Sequence, residues 1–301
     1  MTVASPDDEF SLLAENAAEA GIAWSRSPTV RRESVEVAAG RRVSAVVWGS
    51  GPPELVLLHG GGQNAHTWDT VALALDQPLV ALDLPGHGHS GWRDDHDYTP
   101  AAMASDVAAA LRHLVPGPRA VVGMSLGGLT ALCLAADHPD LVARLALVDI
   151  TPGTDSAKAE PILAFLSGPE RFGSFQEILD RTMAFNPTRS ASSLRRGVIH
   201  NAREFADGSW SWRWDPAARW RAGGTGFDSL WPALRGAQGP LLLVRGSRSS
   251  VVSDDDVARV LQLRPDALLE IVADAGHSIQ GDQPVALAQC LSRFLAVQPA
   301  G

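Results

Sequence analysis

Val121-Val122-Gly123-Met124-Ser125-Leu126-Gly127-Gly128 sets a G-x-S-x-G motif between a short apolar run and a long Ala/Leu-rich segment. Ser125 therefore falls where a strand turns sharply into a helix, a nucleophile elbow. Glycines beside such a serine avoid the Cβ clashes of a strained corner. The helix that follows points its first backbone N–H groups at any oxyanion formed there.

Working outward, short β-branched runs alternate with amphipathic helical patterns, the signature of an α/β fold with a mostly parallel central sheet and helices on both faces. Strands are predicted over Ser34–Ala38 and Val43–Trp48, joined as a hairpin through Ala39-Gly40-Arg41, and then over Glu54–Leu58, Leu79–Asp83, Arg119–Met124, Arg144–Asp149, Pro240–Arg245 and Leu268–Ala273. Thr99-Pro100 marks a helix start, with Met103, Val107, Leu111 and Leu114 on one face, and Pro284 opens the last helix. From about Pro152 to Ser229 the alternation breaks into helical patterns and a Trp-rich stretch, which predicts an inserted helical cap. The expected organisation is an N-terminal extension over 1–32 with a helix from Asp7 to Ala20, a core over 33–151 and 230–301, and a cap over 152–229.

Composition excludes several functions. The net charge of −9 and scattered arginines offer no basic patch for nucleic acid. No stretch reaches the ~18 apolar residues that span a bilayer. Met1–Phe10 is polar and acidic, without a leader, so the chain reads as cytoplasmic. Cys133 and Cys290, each in a helix-like apolar stretch, read as buried free thiols. With no Walker lysine, no G-x-G-x-x-G after a first strand and no metal-ligand spacing, neither a metal nor a cofactor is implied. The expected partner is a small-molecule substrate.

Two further stretches carry chemistry. His59-Gly60-Gly61-Gly62 directly follows the third strand, where glycines let the backbone approach a substrate. The N–H of Gly61 could pair with that of Leu126 as an oxyanion hole. Ala273-Asp274-Ala275-Gly276-His277-Ser278 is a loop after the last strand, from which His277 can reach the elbow as general base. His59, His66, His87, His89 and His138 read as structural.

The HGGG turn, Asp83-Leu84-Pro85-Gly86-His87-Gly88-His89-Ser90, the GMSLGG elbow, Asp149-Ile150-Thr151-Pro152 and Gly276-His277 together resemble the α/β-hydrolase fold superfamily, over about residues 33–297. The resemblance implies the chain order nucleophile, acid, histidine, with a cap inserted after strand six. It also implies an aspartate in the loop after the seventh strand, where this chain has Ser250. Two substitutes are open: Asp149, where some members of the superfamily carry the acid, or one of Asp254, Asp255 and Asp256, which read more simply as first-turn residues of a helix capped by Ser253. A serine nucleophile disfavours dehalogenase or epoxide hydrolase chemistry, since a serine alkyl ether would be a dead end. It favours acyl transfer through an acyl-enzyme. The leading expectation is hydrolysis of a carboxylic ester or lactone of a small, largely apolar substrate. The alternatives are carbon–carbon cleavage of β-diketone-like substrates and a catalytically weak binding protein. Trp210, Trp212 and Trp214 alternate with polar residues, with Trp220 soon after; Gly62, Trp212 and Trp214 are candidate substrate contacts, although packing of the cap is the simpler role for most of the rings.

Overall fold

Side chains in the central strands sort by parity, and that sorting builds the molecule. The computed structural model describes residues 9–154, 157–218 and 227–297. Leu55 and Leu57 join one buried cluster and Val56 and Leu58 the other; Ala146 and Val148 likewise divide from Leu145 and Leu147. A strand buried on both faces needs apolar residues at every position, which is why these runs are continuous rather than alternating.

The chain opens with α1 (Leu13–Glu19), followed by the hairpin β1 (Val30–Ala38) and β2 (Arg41–Trp48). Next come β3 (Leu55–Leu58), α2 (Asp69–Leu75), β4 (Leu79–Leu82), α3 (Pro100–Leu114), β5 (Arg119–Met124), α4 (Leu126–Asp137) and β6 (Val142–Val148). The chain then leaves the sheet for α5 (Glu160–Leu166), α6 (Phe175–Phe185), α7 (Ala191–Asn201) and the small hairpin β7 (Ala202–Glu204) and β8 (Trp210–Trp212). It returns through α8 (Trp231–Gly236), β9 (Leu241–Gly246), α9 (Asp254–Leu263), β10 (Leu268–Val272), α10 (Ile279–Asp282) and α11 (Pro284–Ala296). The eight-stranded sheet runs β1-β2-β4-β3-β5-β6-β9-β10, parallel from β4 onward and antiparallel through β1 and β2. Because β3 lies between β4 and β5, the winding reverses beyond the ends of β3 and β5, the crevice where open α/β sheets hold ligands. Among the described residues no helix is long and apolar enough to cross a membrane.

Three expectations are corrected. The first strand begins at Val30, which pairs with Trp48, so residues 30–32 belong to the sheet rather than to the extension. The N-terminal helix starts at Leu13, not Asp7; Asp7 itself lies outside the described residues, and the chain before Leu13 is a turn whose Glu9 is drawn to Arg32. The interval after β6 contains a two-stranded pairing, Ala202↔Trp212 to Glu204↔Trp210, where the tryptophan alternation follows the strand period. Trp220 lies outside the described residues.

The N-terminal segment is tied down by charge. Arg32 bonds Asp83 Oδ2 at 2.8 Å, Ser44 Oγ at 2.6 Å and Glu9 Oε1 at 2.7 Å. His66 lies between Asp69 at 2.8 Å and Glu9 at 2.9 Å, and its ring stacks on His200 of α7 at 3.7 Å. Farther along, Arg196 of α7 bonds Asn16 Oδ1 at 2.6 Å and the Glu19 carboxylate, so α1 is fastened to the segment between β6 and β9. Burial opposes the charge on His66, but the flanking carboxylates outweigh it and raise its pKa to about 9.

A group whose folded pKa is raised stabilises the fold below its unfolded value, near 6.5, and loses that contribution as pH rises through the folded value. Urea melts are expected to show stability declining by about 3 kcal/mol between pH 6.5 and pH 9.5. His66→Gln is expected to start less stable and to lack this decline.

Candidate active site

At the elbow, Ser125 has φ +51° and ψ −120°, a conformation that a residue with a Cβ rarely holds. Its N–H donates to Val148 O at 3.1 Å, and its carbonyl accepts from Gly128 N at 2.8 Å and Leu129 N at 3.1 Å. The glycines are there for clearance: a Cβ on Gly123 would lie 2.2 Å from Gly127 O, and one on Gly127 would lie 2.4 Å from Leu58 O. Leu126 opens α4, so its N–H is among the first-turn donors that have no acceptor within the helix.

The glycine turn after β3 is set by side chains that take up its other donors. Gly60 N donates to Gln63 Oε1 at 3.1 Å and Gly62 N to His87 Nε2 at 3.1 Å; among the described residues Gly61 N–H has no acceptor. His59 Nε2 accepts from Leu84 N at 2.9 Å, joining the turn to the loop after β4. Burial lowers the pKa of His59 and holds that of His87 at about 3, so both are neutral rings acting as acceptors. A Cβ added to Gly60 would lie 3.3 Å from Ser125 Cβ, so the turn lies directly against the serine.

Of the two stretches open for the acid, the geometry brings Asp149 to the histidine. Asp149 is fully buried just past β6 with φ +52°, a left-handed conformation that aspartate tolerates. His277 Nδ1 lies 2.8 Å from Asp149 Oδ2, Gly246 N donates to Oδ1 at 3.0 Å, and the Ser249 hydroxyl donates to Oδ2. Ser250 is exposed. Asp254, Asp255 and Asp256 occupy the first turn of α9; Asp256 completes a capping box with Ser253 and pairs with Lys158 at 2.6 Å, and Asp254 pairs with Arg245. None of the three contacts His277. Ser125 and His277 line the same cavity without a hydrogen bond between them among the described residues, a contact that in such sites is commonly long until substrate closes it.

That cavity, of about 910 Å³, runs beneath the segment between β6 and β9 and is also lined by Gly61, Gly62 and Trp212. Trp214 is not part of its wall. It stacks on Trp212 with ring centroids 4.5 Å apart, within an apolar cluster that includes Phe172 and Trp210. Packing thus accounts for Trp214, which also backs the glycine turn: a Cβ on Gly62 would lie 3.5 Å from its ring.

Several lining groups had no sequence signal. Gln280 Nε2 donates to Gln63 Oε1 at 3.2 Å, bracing the glycine turn from α10, and α1 contributes Asn16 and Glu19 to the wall. His66, Asp69 and His200 bring potential metal-ligand atoms within 4.8 Å of one another. Yet the imidazoles are stacked rather than convergent, and His66 is held by carboxylates on both ring nitrogens, as suits an imidazolium in an ion-pair network.

The family model described as alpha/beta hydrolase fold matches residues 53–284. Over 298 residues, covering 96% of each chain, the sequence is 47% identical to esterase Rv0045c of Mycobacterium tuberculosis. A solved structure of that esterase, from work on its inhibition by transition metals, superposes with a TM-score of 0.87 at 44% identity, covering 97% of this chain and all of the other. The 2-(acetamidomethylene)succinate hydrolase of Mesorhizobium japonicum is 27% identical over 82% of this chain and 89% of its own.

Gly246 is the point on which the His277 loop closes: a Cβ there would lie 2.3 Å from Gly276 O and 2.6 Å from Ala275 O. Gly246→Ala is expected to push that loop off Asp149 and lower kcat by about 10² while circular dichroism stays native. Steady-state kinetics on a chromogenic ester is the check.

Proposed function

Since this chain belongs to the α/β-hydrolase fold family, we propose that it is a carboxylic ester hydrolase working through an acyl-enzyme on Ser125, with His277 as general base and Asp149 as its acid partner. The reading rests on one observation above the others, the 2.8 Å contact between His277 Nδ1 and the buried Asp149 carboxylate. A carboxylate can only accept there, so Nδ1 carries the proton and Nε2 is the basic nitrogen that faces Ser125 chemistry. The identity to an esterase across nearly the whole chain supports the same reaction class.

In the first half-reaction Ser125 Oγ attacks the ester carbonyl as His277 Nε2 takes its proton. The N–H groups of Gly61 and Leu126 hold the developing oxyanion, each such donor being worth about 10²–10³ in kcat. Collapse expels the alcohol, which receives the proton from His277. Water then repeats the sequence on the acyl-enzyme: His277 removes its proton, the tetrahedral intermediate forms and breaks, and Ser125 Oγ is reprotonated as the carboxylic acid leaves. Asp149 stays ionised throughout, stabilising the transient imidazolium. Gly62 and Trp212 contribute to the surface that receives the substrate, and the reducing cytoplasm keeps Cys133 and Cys290 as thiols.

Wild-type protein is expected to hydrolyse 4-nitrophenyl butyrate, Ser125→Ala to fall to background and Asp149→Asn to lose about 10⁴ in kcat. Asp149→Asn within tenfold of wild type would remove Asp149 from the mechanism. Native circular dichroism of each variant keeps the comparison to chemistry.

A further inference from the structure

At the end of the cavity formed by α7 and α10 lies a half-buried guanidinium that forms no ion pair among the described residues. Arg189 stands in the turn before α7 and lines the same space as Ser125 and His277. Its Nη2 donates to Ser193 Oγ at 2.8 Å, while its Nε is buried without a hydrogen-bond partner. The nearby carboxylates bond elsewhere: Glu19 to Arg196 and the Ser190 hydroxyl, and Asp282 Oδ2 to Gly276 N at 2.8 Å, so both act on Arg189 only through space. Among the described residues no ion pair includes Arg189, whereas Arg196, seven residues on and inside α7, pairs with both Glu15 and Glu19. Burial lowers the Arg189 pKa despite the fields of Asp282 and Glu19, as for a charge whose compensation is incomplete.

Position relates this guanidinium to the glycine turn, since Arg189 and Gly61 line one cavity. It lies flat against α10, where a Cβ on Gly281 would fall 2.6 Å from its Cζ and Nη1. The neighbouring Gln280 shares Gln63 Oε1 with Gly60 N, at the turn that carries Gly61. Gly281 is four residues past His277 in the chain, in the short helix that follows the histidine loop. A chain leaving a carbonyl held at Gly61 and running along α10 therefore meets the guanidinium. An arginine fork matches a carboxylate bidentately, and pairing removes the penalty of burying the cation alone.

We propose that Arg189 is a carboxylate anchor, so that the preferred substrates are esters whose acyl chain ends in a carboxylate, half-esters of dicarboxylic acids. This rests on the ester-hydrolase reading and narrows its substrate from a wholly apolar acyl group to an apolar chain with an anionic end.

The test compares kcat/KM for the mono-4-nitrophenyl ester of adipic acid with that for 4-nitrophenyl hexanoate, corrected for spontaneous hydrolysis, in wild type, Arg189→Met and Arg189→Lys. The ratio of half-ester to neutral ester is expected to fall about 30-fold in Arg189→Met, within the range of a lost charge-assisted hydrogen bond, and to fall less in Arg189→Lys. Should Arg189→Met fail to fold, Arg189→Lys carries the comparison, since loss of the planar fork alone is expected to lower the ratio. Calorimetric titration of adipate into Ser125→Ala and into Ser125→Ala/Arg189→Lys reads the anchor without turnover: weaker binding in the second supports it. A ratio unchanged by either substitution, or adipate binding equal in the two proteins, overturns the proposal. Ester turnover that survives Ser125→Ala would overturn the hydrolase reading instead and leave the adipate titration to judge Arg189.

Discussion

A carboxylate with no solvent contact holds the catalytic end of the sheet together. Burying a charge is tolerable only when donors replace the water it loses. Asp149 has three, from three places: the last residue of β9, the serine loop that follows it, and the histidine loop after β10. The side chain that orients His277 is thereby also the joint between β6 and β9, and it fixes where both following loops begin. The loop after β9 supports Asp149 through the Ser249 hydroxyl, whose oxygen also accepts from Val251 N. Gly246 completes the arrangement by letting the backbone of the histidine loop come closer to β9 than a side chain would permit.

A second charged centre organises the opposite flank. Arg32 on β1, Asp83 after β4, Glu9 before α1 and His66 before α2 meet where His200 of α7 arrives. The energetic weight of this cluster lies in its completeness, since removing one member leaves the others buried and unpaired. It also explains why the histidines of this region are tuned apart: His66 between carboxylates is held charged, while His59 and His87, buried against backbone groups, are held neutral.

The inner strands β3, β4, β5, β6 and β9 were legible because buried strands write themselves as apolar runs, and all eight lie within a few residues of where strands are predicted. The elbow and the glycine turn were legible because their clearances admit almost nothing but glycine. The partner of His277 was not, because a carboxylate's partner across a sheet depends on strand order, and Asp149 reads as well as a structural aspartate until β9 is placed between β6 and β10. The start of β1 was hidden by charged residues whose partners, Glu9, Ser44 and Asp83, are scattered along the sequence. Arg189, Gln280 and Asn16 were silent for the same reason: ordinary polar residues whose meaning comes from what they face. Trp214 carried a true signal, strand alternation in an aromatic segment, but that period specifies which side a ring takes and not whether a cavity or a neighbouring ring lies there.

The fastening of α1 to α7 has a consequence for the order in which the molecule is completed. A seven-residue helix cannot hold itself in water, and α1 depends on α2 for its apolar side and on Arg196 for its polar one. Arg196 follows Asn16 by 180 residues, so the polar anchor of α1 forms only after most of the sheet's strands have been synthesised. The wall that α1 contributes to the cavity thus depends on a contact that becomes possible only after the strand, corner and helix around Ser125 have been synthesised.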